Sequence, residues 1–512
     1  MTHIAFQEFF PKVAAWEGNW SVILACLAVI LGGLLTIKNF ASKNPRAKDK
    51  RLPPGPRGIP LLGYLPFIWK PYHVVFQELS EKYGPIIRLQ LGIKDVVVLN
   101  DVASVREGLS NSDVLYRSND FVFNYLDVNG IAALNGEAWL VNRRYCFHVL
   151  RNLGFAKKSM EEHIHEEVQD FTDYLLTKNG RPTLVGQTVA ASVANNISAL
   201  VFGRRYNRKD PEGRFIEKLL TSFLRHSSFL SLVDFLPAIR FITAYIPNTR
   251  TYITNNLFKE FAQLVREEVE KREGNMEMHL DRDFLDGYLR KIQEHEGTES
   301  HYSTRYLEGT TINLYGASTN TVRSTILWNL YIAANDPDGH QKQLQREIDN
   351  VVGHKRSPQW QDRYSMPFTM ASILESLRWR TMAPISIHRA AGRDTVIGGY
   401  HIPAGTLIVP NLWAVHNDPA CWLNPSKYDP TRFLSTDGTK LNERPRAFMP
   451  FSLGRRACPG ESLALMEIFL YVTTVLQKFK VLPKHGTTLS FDIQHVLISA
   501  PNDAQALRFI SR

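Results

Sequence analysis

The ten residues Phe451–Gly460, FSLGRRACPG, place one cysteine behind two arginines and ahead of a Pro-Gly turn. A thiolate is a strong ligand and nucleophile, whereas a free thiol keeps its proton up to a pKa of about 8.5. Arg455 and Arg456 favour the anion, as does the amino end of the helical stretch ESLALMEIFLYVTTVLQKF that follows. Gly454 and Gly460 allow tight turns that aim backbone N–H groups at the sulfur, and such donors tune a metal–sulfur bond. On residue type alone a lone buried cysteine is a small hydrophobe. The surrounding pattern instead describes a loop built to hold one thiolate at Cys458. A zinc site is remote, because no nearby Cys or His completes it.

Three further segments carry spacing that matters. Glu375 and Arg378 in LESLRWR stand at i and i+3, on one helix face. In isolation such a pair is a surface ion pair, but Pro430-Thr431-Arg432-Phe433 supplies a second arginine downstream. Trp139 and Arg143 in EAWLVNRRY stand at i and i+4, which sets an indole N–H beside a guanidinium and suits a carboxylate. In LYGASTNTVRSTILW, Thr321 lies within a long helical pattern. A mid-helix threonine bonds back to the preceding turn and loosens the helix there.

The Cys458 loop is similar to the haem-binding loop of the cytochrome P450 family, FxxGxRxCxG. Phe451, Gly454, Arg456, Cys458 and Gly460 fit every fixed position. Glu375 and Arg378 resemble the family's ExxR pair, and Arg432 its partner in a buried structural triad. Trp139 and Arg143 match its WxxxR, which serves a haem propionate; Arg456 and His388, in APISIHRA, match further propionate contacts, with Arg117 as an additional candidate. Ala317 and Thr321 match the oxygen-binding stretch A-G-x-acid-T-T, in which Ser318 replaces the glycine, Asn320 the acid and Val322 the second threonine.

The resemblance spans essentially the whole chain and looks most like animal microsomal members. It implies haem b with Cys458 as axial ligand to iron, whose electron donation favours O–O cleavage. One atom of O2 then enters a lipophilic molecule, a hormone-like lipid or a xenobiotic. Electrons come from NADPH through a flavoprotein reductase, with cytochrome b5 as a second candidate donor. No Rossmann fingerprint or P-loop supplies them within the chain. Thr321 and Asn320 are the expected catalytic pair. An amide orients water but has no acidic proton, so Asn320 keeps a second class open: a haem-thiolate protein that binds or sequesters a ligand, or an isomerase or dehydratase.

The elements that must position these residues are mostly helical. Helices are predicted over Ala138–Leu150, Met160–Thr177, Arg214–Phe229, Thr251–Arg272, Phe284–Glu294, Thr304–Asn335 and Phe368–Arg380. Short strands are predicted in IIRLQLGI, KDVVVLN, TVIGGY and TLIVP. The fold class is mainly α with small peripheral β-sheets. With 512 residues, 44% hydrophobic and 11% aromatic, and no internal linker, one large domain is expected behind an N-terminal segment.

The run from Gly18 to Ile37 contains no charge and matches the ~20 residues that cross a bilayer core. Lys38, Lys43, Arg46, Lys48, Lys50 and Arg51 follow it, which by the positive-inside rule keeps the main body in the cytosol. No charged n-region with an A-x-A site marks a cleaved signal. The expected order is a lumenal tail and anchor at 1–37, a basic and Pro-rich linker at 38–64, and a catalytic domain at 65–512, on the endoplasmic reticulum membrane as a single-pass protein.

The sequons at Asn19 and Asn196 are expected to stay unmodified. Cys26, Cys146, Cys421 and Cys458 are too few and too scattered for a disulfide framework. The net charge of +10 permits an acidic partner. Arg143, Arg144, Arg151, Lys157, Lys158, Arg444, Arg446, Arg455 and Arg456 are candidates for a basic face that steers the reductase, and no nucleic acid is expected. Phe121, Phe123, Tyr125, Phe223, Phe229, Leu232, Phe235, Phe241, Tyr315, Ile385 and Ile387 are candidates for an apolar pocket.

Overall fold

The computed structural model describes residues 51–152, 158–207, 210–226, 230–273, 282–297, 301–495 and 498–512, and a compact unit spans Leu52–Arg512. Its strands Ile86–Leu91 (β1) and Lys94–Leu99 (β2) form a hairpin. Helices Gly136–Asn152 (α1), Gly186–Phe202 (α2), Pro211–His226 (α3) and Arg250–Glu273 (α4) follow. Next come the long helix Thr304–Asn335 (α5) and helix Pro367–Arg380 (α6), then strands Arg389–Ala390 (β3) and Leu407–Pro410 (β4), and finally helix Glu461–Lys478 (α7). The mainly helical architecture with small sheets is the expected one.

The main sheet has the order β1-β2-β4-β3, with β4 parallel to β2 and the other pairs antiparallel. Val96 to Leu99 are fully buried in it, as an interior strand covered on both faces requires.

The 32-residue α5 has the predicted bounds. Ser303 caps it by accepting from the Tyr306 N–H, and Asp336-Pro337 ends it. It packs against α2, α3, α4, α6 and α7, so it is the axis of the unit. Predicted helices shift by a few residues at most, and α3 starts earlier because Pro211 sits in its first turn, where a missing N–H costs nothing. Helix α2 had no predicted bounds: it is buried nearly all round and presents no polar stripe.

The Pro-rich segment assigned to a linker packs on the edge of β1 from Leu52 onward. Arg88 donates to the Pro54 carbonyl at 2.8 Å, and Tyr64 donates to that of Gln90 at 2.6 Å. A Cβ on Gly55 would sit 1.8 Å from the Arg88 oxygen, which is why glycine stands there. The predicted membrane anchor and Cys26 lie outside the described residues; among those described, no helix is long and apolar enough to cross a membrane. Asn196 is buried in α2, out of reach of a glycosylating enzyme.

Candidate active site

Cys458 lies just before α7, whose cap is Gly460. The loop closes on itself, Cys458 N–H donating to the Phe451 carbonyl at 2.9 Å and Ala457 N–H to that of Gly454 at 3.0 Å. Gly454 has φ +74°, and a Cβ there would lie 2.2 Å from the Leu109 carbonyl oxygen. The thiol shows accessible surface but sits in a densely packed loop. That packing raises its pKa, while the Gly460 N–H and Arg143 oppose the rise. Arg143 also donates to the Ala457 carbonyl at 2.5 Å. The expectation that Arg455 and Arg456 favour the thiolate is corrected here. The guanidinium acting on the sulfur is that of Arg143, while Arg456 bonds the carbonyls of Leu115, Ile131 and Leu134.

Arg456 belongs to a set of four largely buried guanidinium groups. Arg117 donates to the carbonyls of Ala132, Ile387 and His388, and Arg389 to those of Leu109 and Leu453. Arg143 completes the set. Among the described residues none of the four pairs with a carboxylate. Burial lowers each pKa and mutual repulsion lowers three further: Arg117 well down, Arg389 to about 10 and Arg456 to about 9. The Arg456 guanidinium lies 4.0 Å over the Trp139 ring, whose buried Nε1–H has no hydrogen-bond partner among the described residues. His388 is buried nearby with its ring edge-on to Phe121 at 5.3 Å.

Uncompensated positive charge, an unused indole donor and a cysteine on one loop fit a group that carries carboxylates and takes an axial sulfur, as haem does. Sequence reasoning missed Arg389, although it directly follows His388.

Behind the loop, Arg378 grips Glu375 through two bonds of 2.8 and 2.7 Å, both side chains fully buried, and Arg432 adds a third at 3.2 Å. The triad is thus assembled. It reaches the cysteine loop through a histidine absent from the motif reading. Arg378 donates to the His416 carbonyl at 2.8 Å, and the His416 ring accepts the Met449 N–H on Nε2 at 3.1 Å. Burial and the adjacent Arg378 hold that imidazole near pKa 3, so it stays neutral and keeps the acceptor. Its other nitrogen, Nδ1, meets the Thr381 hydroxyl at 3.0 Å.

On α5, the Thr321 hydroxyl donates to the Ala317 carbonyl at 2.7 Å, the back-bond anticipated from sequence. Ala317 is exposed and Thr321 half-buried, whereas Asn320 is buried and donates to the Leu220 carbonyl of α3. Phe123, Phe223, Phe258, Phe261, Leu220 and Gly316 line a small apolar cavity next to this stretch. Tyr315 turns the other way, its hydroxyl bonding Ser198 of α2. Phe235 packs in a separate cluster with β1 and β2, and Leu232 and Phe241 are exposed. Of the basic candidates Arg144, Arg444, Arg446 and Arg455 are exposed, while Arg143 and Arg456 turn inward. Lys157, Phe229 and the side chains of Arg151 and Lys158 lie outside the described residues.

Residues 53–507 match the family profile described as Cytochrome P450. The human protein Cytochrome P450 2J2 is 32% identical over 463 residues, 89% of this chain and 91% of its own length. Cytochrome P450 2F5 of Gorilla gorilla gorilla is 36% identical over 452 residues, 85% and 89% respectively. Cytochrome P450 18a1 of Drosophila melanogaster is 30% identical over 478 residues, 90% and 88%.

Proposed function

Because the chain belongs to the cytochrome P450 family and is a haem monooxygenase, we propose that it oxidises a lipophilic small molecule, a hormone-like lipid or a xenobiotic, at the face of α5 that carries Ala317 and Thr321. The bound haem supplies activation of O2; the residues of this chain hold it, exclude water and place the substrate. Cys458, kept in position by Arg143 and by the Phe451 carbonyl, would ligate the iron through its sulfur. Arg117, Arg143, Arg389, Arg456, Trp139 and His388 would receive the carboxylates. The Thr321 hydroxyl, able to swing from the Ala317 carbonyl, steadies proton transfer at its Oγ1. The phenylalanine-lined cavity supports an apolar substrate.

The observation that carries this assignment is the set of four arginines that have no carboxylate partner among the described residues, gathered beside one cysteine. Electrons are supplied from NADPH by a flavoprotein reductase, with cytochrome b5 as a second donor. The exposed Arg144, Arg444, Arg446 and Arg455 provide charge to steer an acidic partner. We place the protein on the endoplasmic reticulum membrane with its catalytic unit, Leu52–Arg512, facing the cytosol. The uncharged run Gly18–Ile37 anchors it and residues 38–51 follow as a connecting segment. Exposed Trp69 (87%) and Tyr245 (83%), with Phe241 and Ile242, support contact with the bilayer.

The test is the reduced, carbon-monoxide difference spectrum of the full chain, then product formation with NADPH and reductase. A strongly red-shifted Soret band that vanishes in Cys458→Ala is expected. Product formation by Cys458→Ala would overturn the assignment.

A further inference from the structure

Asn320 stands at the acid position of the family stretch that LYGASTNTVRSTILW resembles, and its surroundings give the amide a different task. Its side chain is 5% exposed, and its Nδ2 donates to the Leu220 carbonyl oxygen at 3.0 Å. The neighbouring hydroxyls turn back into α5: Ser318 bonds the Leu314 carbonyl at 2.7 Å, Thr321 that of Ala317 at 2.7 Å, and Thr325 that of Thr321 at 2.9 Å. Between Ala317 and Thr321, Asn320 is the residue whose side chain hydrogen-bonds outside its own helix.

What it reaches is α3, which lines the cavity together with α4 and α5. Leu219, Leu220 and Phe223 of α3 face Ile312 and Gly316 of α5 across it. Leu220 lies mid-helix, so its carbonyl takes the ladder bond with one lone pair and the Asn320 amide with the other. Among the described residues the rest of the α3–α5 contact at the cavity is apolar and non-directional, which leaves this bond to fix the register of the two helices.

We propose that Asn320 is a positioning residue, a strut that pins α3 to the Ala317–Thr321 turn of α5 and so gates access to the cavity, rather than a member of the proton relay. The assignment rests on the monooxygenase reading above. An ionised carboxylate at this position has no hydrogen to offer and would set its charge against the Leu220 oxygen. The amide therefore does what the acid cannot, and proton delivery falls to Thr321 and solvent.

Two variants of the full-length holoenzyme test this. Asn320→Leu keeps the branched heavy-atom shape and removes the donor; Asn320→Asp adds the family's acid. Hydrogen exchange of the α3 amides is read by mass spectrometry, and imidazole association and dissociation by absorbance. A bond of this kind is worth about 1 kcal/mol, which is about fivefold in an opening equilibrium. In Asn320→Leu, α3 exchange is expected to rise about fivefold. Imidazole on- and off-rates should rise together, so that its Kd moves less than twofold. Asn320→Asp should loosen α3 at least as much and give no gain in product per NADPH.

The strut is overturned if Asn320→Leu leaves α3 exchange within twofold of the parent. Faster exchange with unaltered imidazole rates would remove the gating role. A rise in product per NADPH in Asn320→Asp would return the position to the relay. The exchange measurement needs no turnover, so its failure is distinct from a failure to oxidise substrate.

Discussion

Gly454→Ala tests whether the cysteine loop is held by backbone contact as tightly as its geometry implies. Gly454 has φ +74°, where an alanine costs about 1–2 kcal/mol. Its Cβ would also stand 2.2 Å from the Leu109 carbonyl oxygen, so one backbone must move by most of an ångström. That same oxygen accepts the Arg389 Nη1–H at 2.8 Å, while Arg389 Nη2 donates to the Leu453 carbonyl at 3.0 Å. Displacing the carbonyl strains a charge-assisted bond worth about 1.5–3 kcal/mol.

Together these terms cost about 4 kcal/mol, concentrated four residues before Cys458. Over a unit of this size, at about 2.1 cal/mol/K per residue, that is only about 4 °C in Tm. The spectrum is therefore the sensitive assay. Gly486→Ala is the control, because Gly486 has φ +68° with nothing within 4 Å of a new Cβ. The control should lose about 1 °C and keep its reduced carbon-monoxide band, whereas Gly454→Ala should lose most of that band. Indistinguishable spectra from the two variants would refute the argument that the Leu109 contact positions the sulfur.

Glu375→Ala strands the fully buried Arg378 guanidinium and should cost about 3–5 kcal/mol in chemical denaturation; a loss below 1 kcal/mol would contradict the triad's role as scaffold. Burial raises the Glu467 carboxyl from its ordinary 4.5 to about 8, and Asn196 donates to it at 2.7 Å. The folded state thus keeps a proton that the unfolded chain releases, so stability should be greatest below pH 4.5 for this group and fall as pH rises toward about 8. Glu467→Gln should flatten that part of the pH–stability profile, and an unchanged slope would sink the assignment. Asp120 bonds Lys94 of β2 and Arg240 of the segment 237–243. Asp120→Asn should release that segment and speed limited proteolysis between residues 236 and 246, against an unchanged cleavage rate if the clasp is incidental.

Much of this site was legible because its motifs are local. FSLGRRACPG, the Glu375–Arg378 pair and the Trp139–Arg143 pair each sit within one loop or two helical turns, and the bounds of Phe284–Glu294 and Thr304–Asn335 follow from helix signals that lie next to them. What stayed hidden depends on segments far apart in the chain. Arg389 joins Arg117 and Arg456 only once β3 pairs with β4. His416 links the triad to Met449 across elements that no spacing relates. Tyr315 could not be told from a cavity residue until the rotation of α5 about its axis was known. Helix α2 escaped because burial on all sides erases the period that marks a surface helix.

The two groups of buried arginines separate scaffold from site in a way that residue type cannot. Arg378 and Arg432 have a carboxylate within 3.2 Å, and their charge is neutralised inside the protein. Among the described residues Arg117, Arg143, Arg389 and Arg456 meet carbonyl dipoles, the Asn135 amide oxygen and aromatic rings but no carboxylate, and burial lowers the pKa of each. Desolvated like charges destabilise the chain that holds them. A ligand that brings negative charge to these four relieves the repulsion, and its binding energy then adds directly to folding stability. Replacing Arg389 by methionine removes one of the repelling charges while keeping bulk. The lost bonds to the Leu109 and Leu453 carbonyls offset that relief, so the chain without haem should change little in Tm while the haem-loaded chain becomes less stable. A loss confined to the haem-loaded form is the behaviour of a site, whereas a scaffold arginine such as Arg378 should destabilise both.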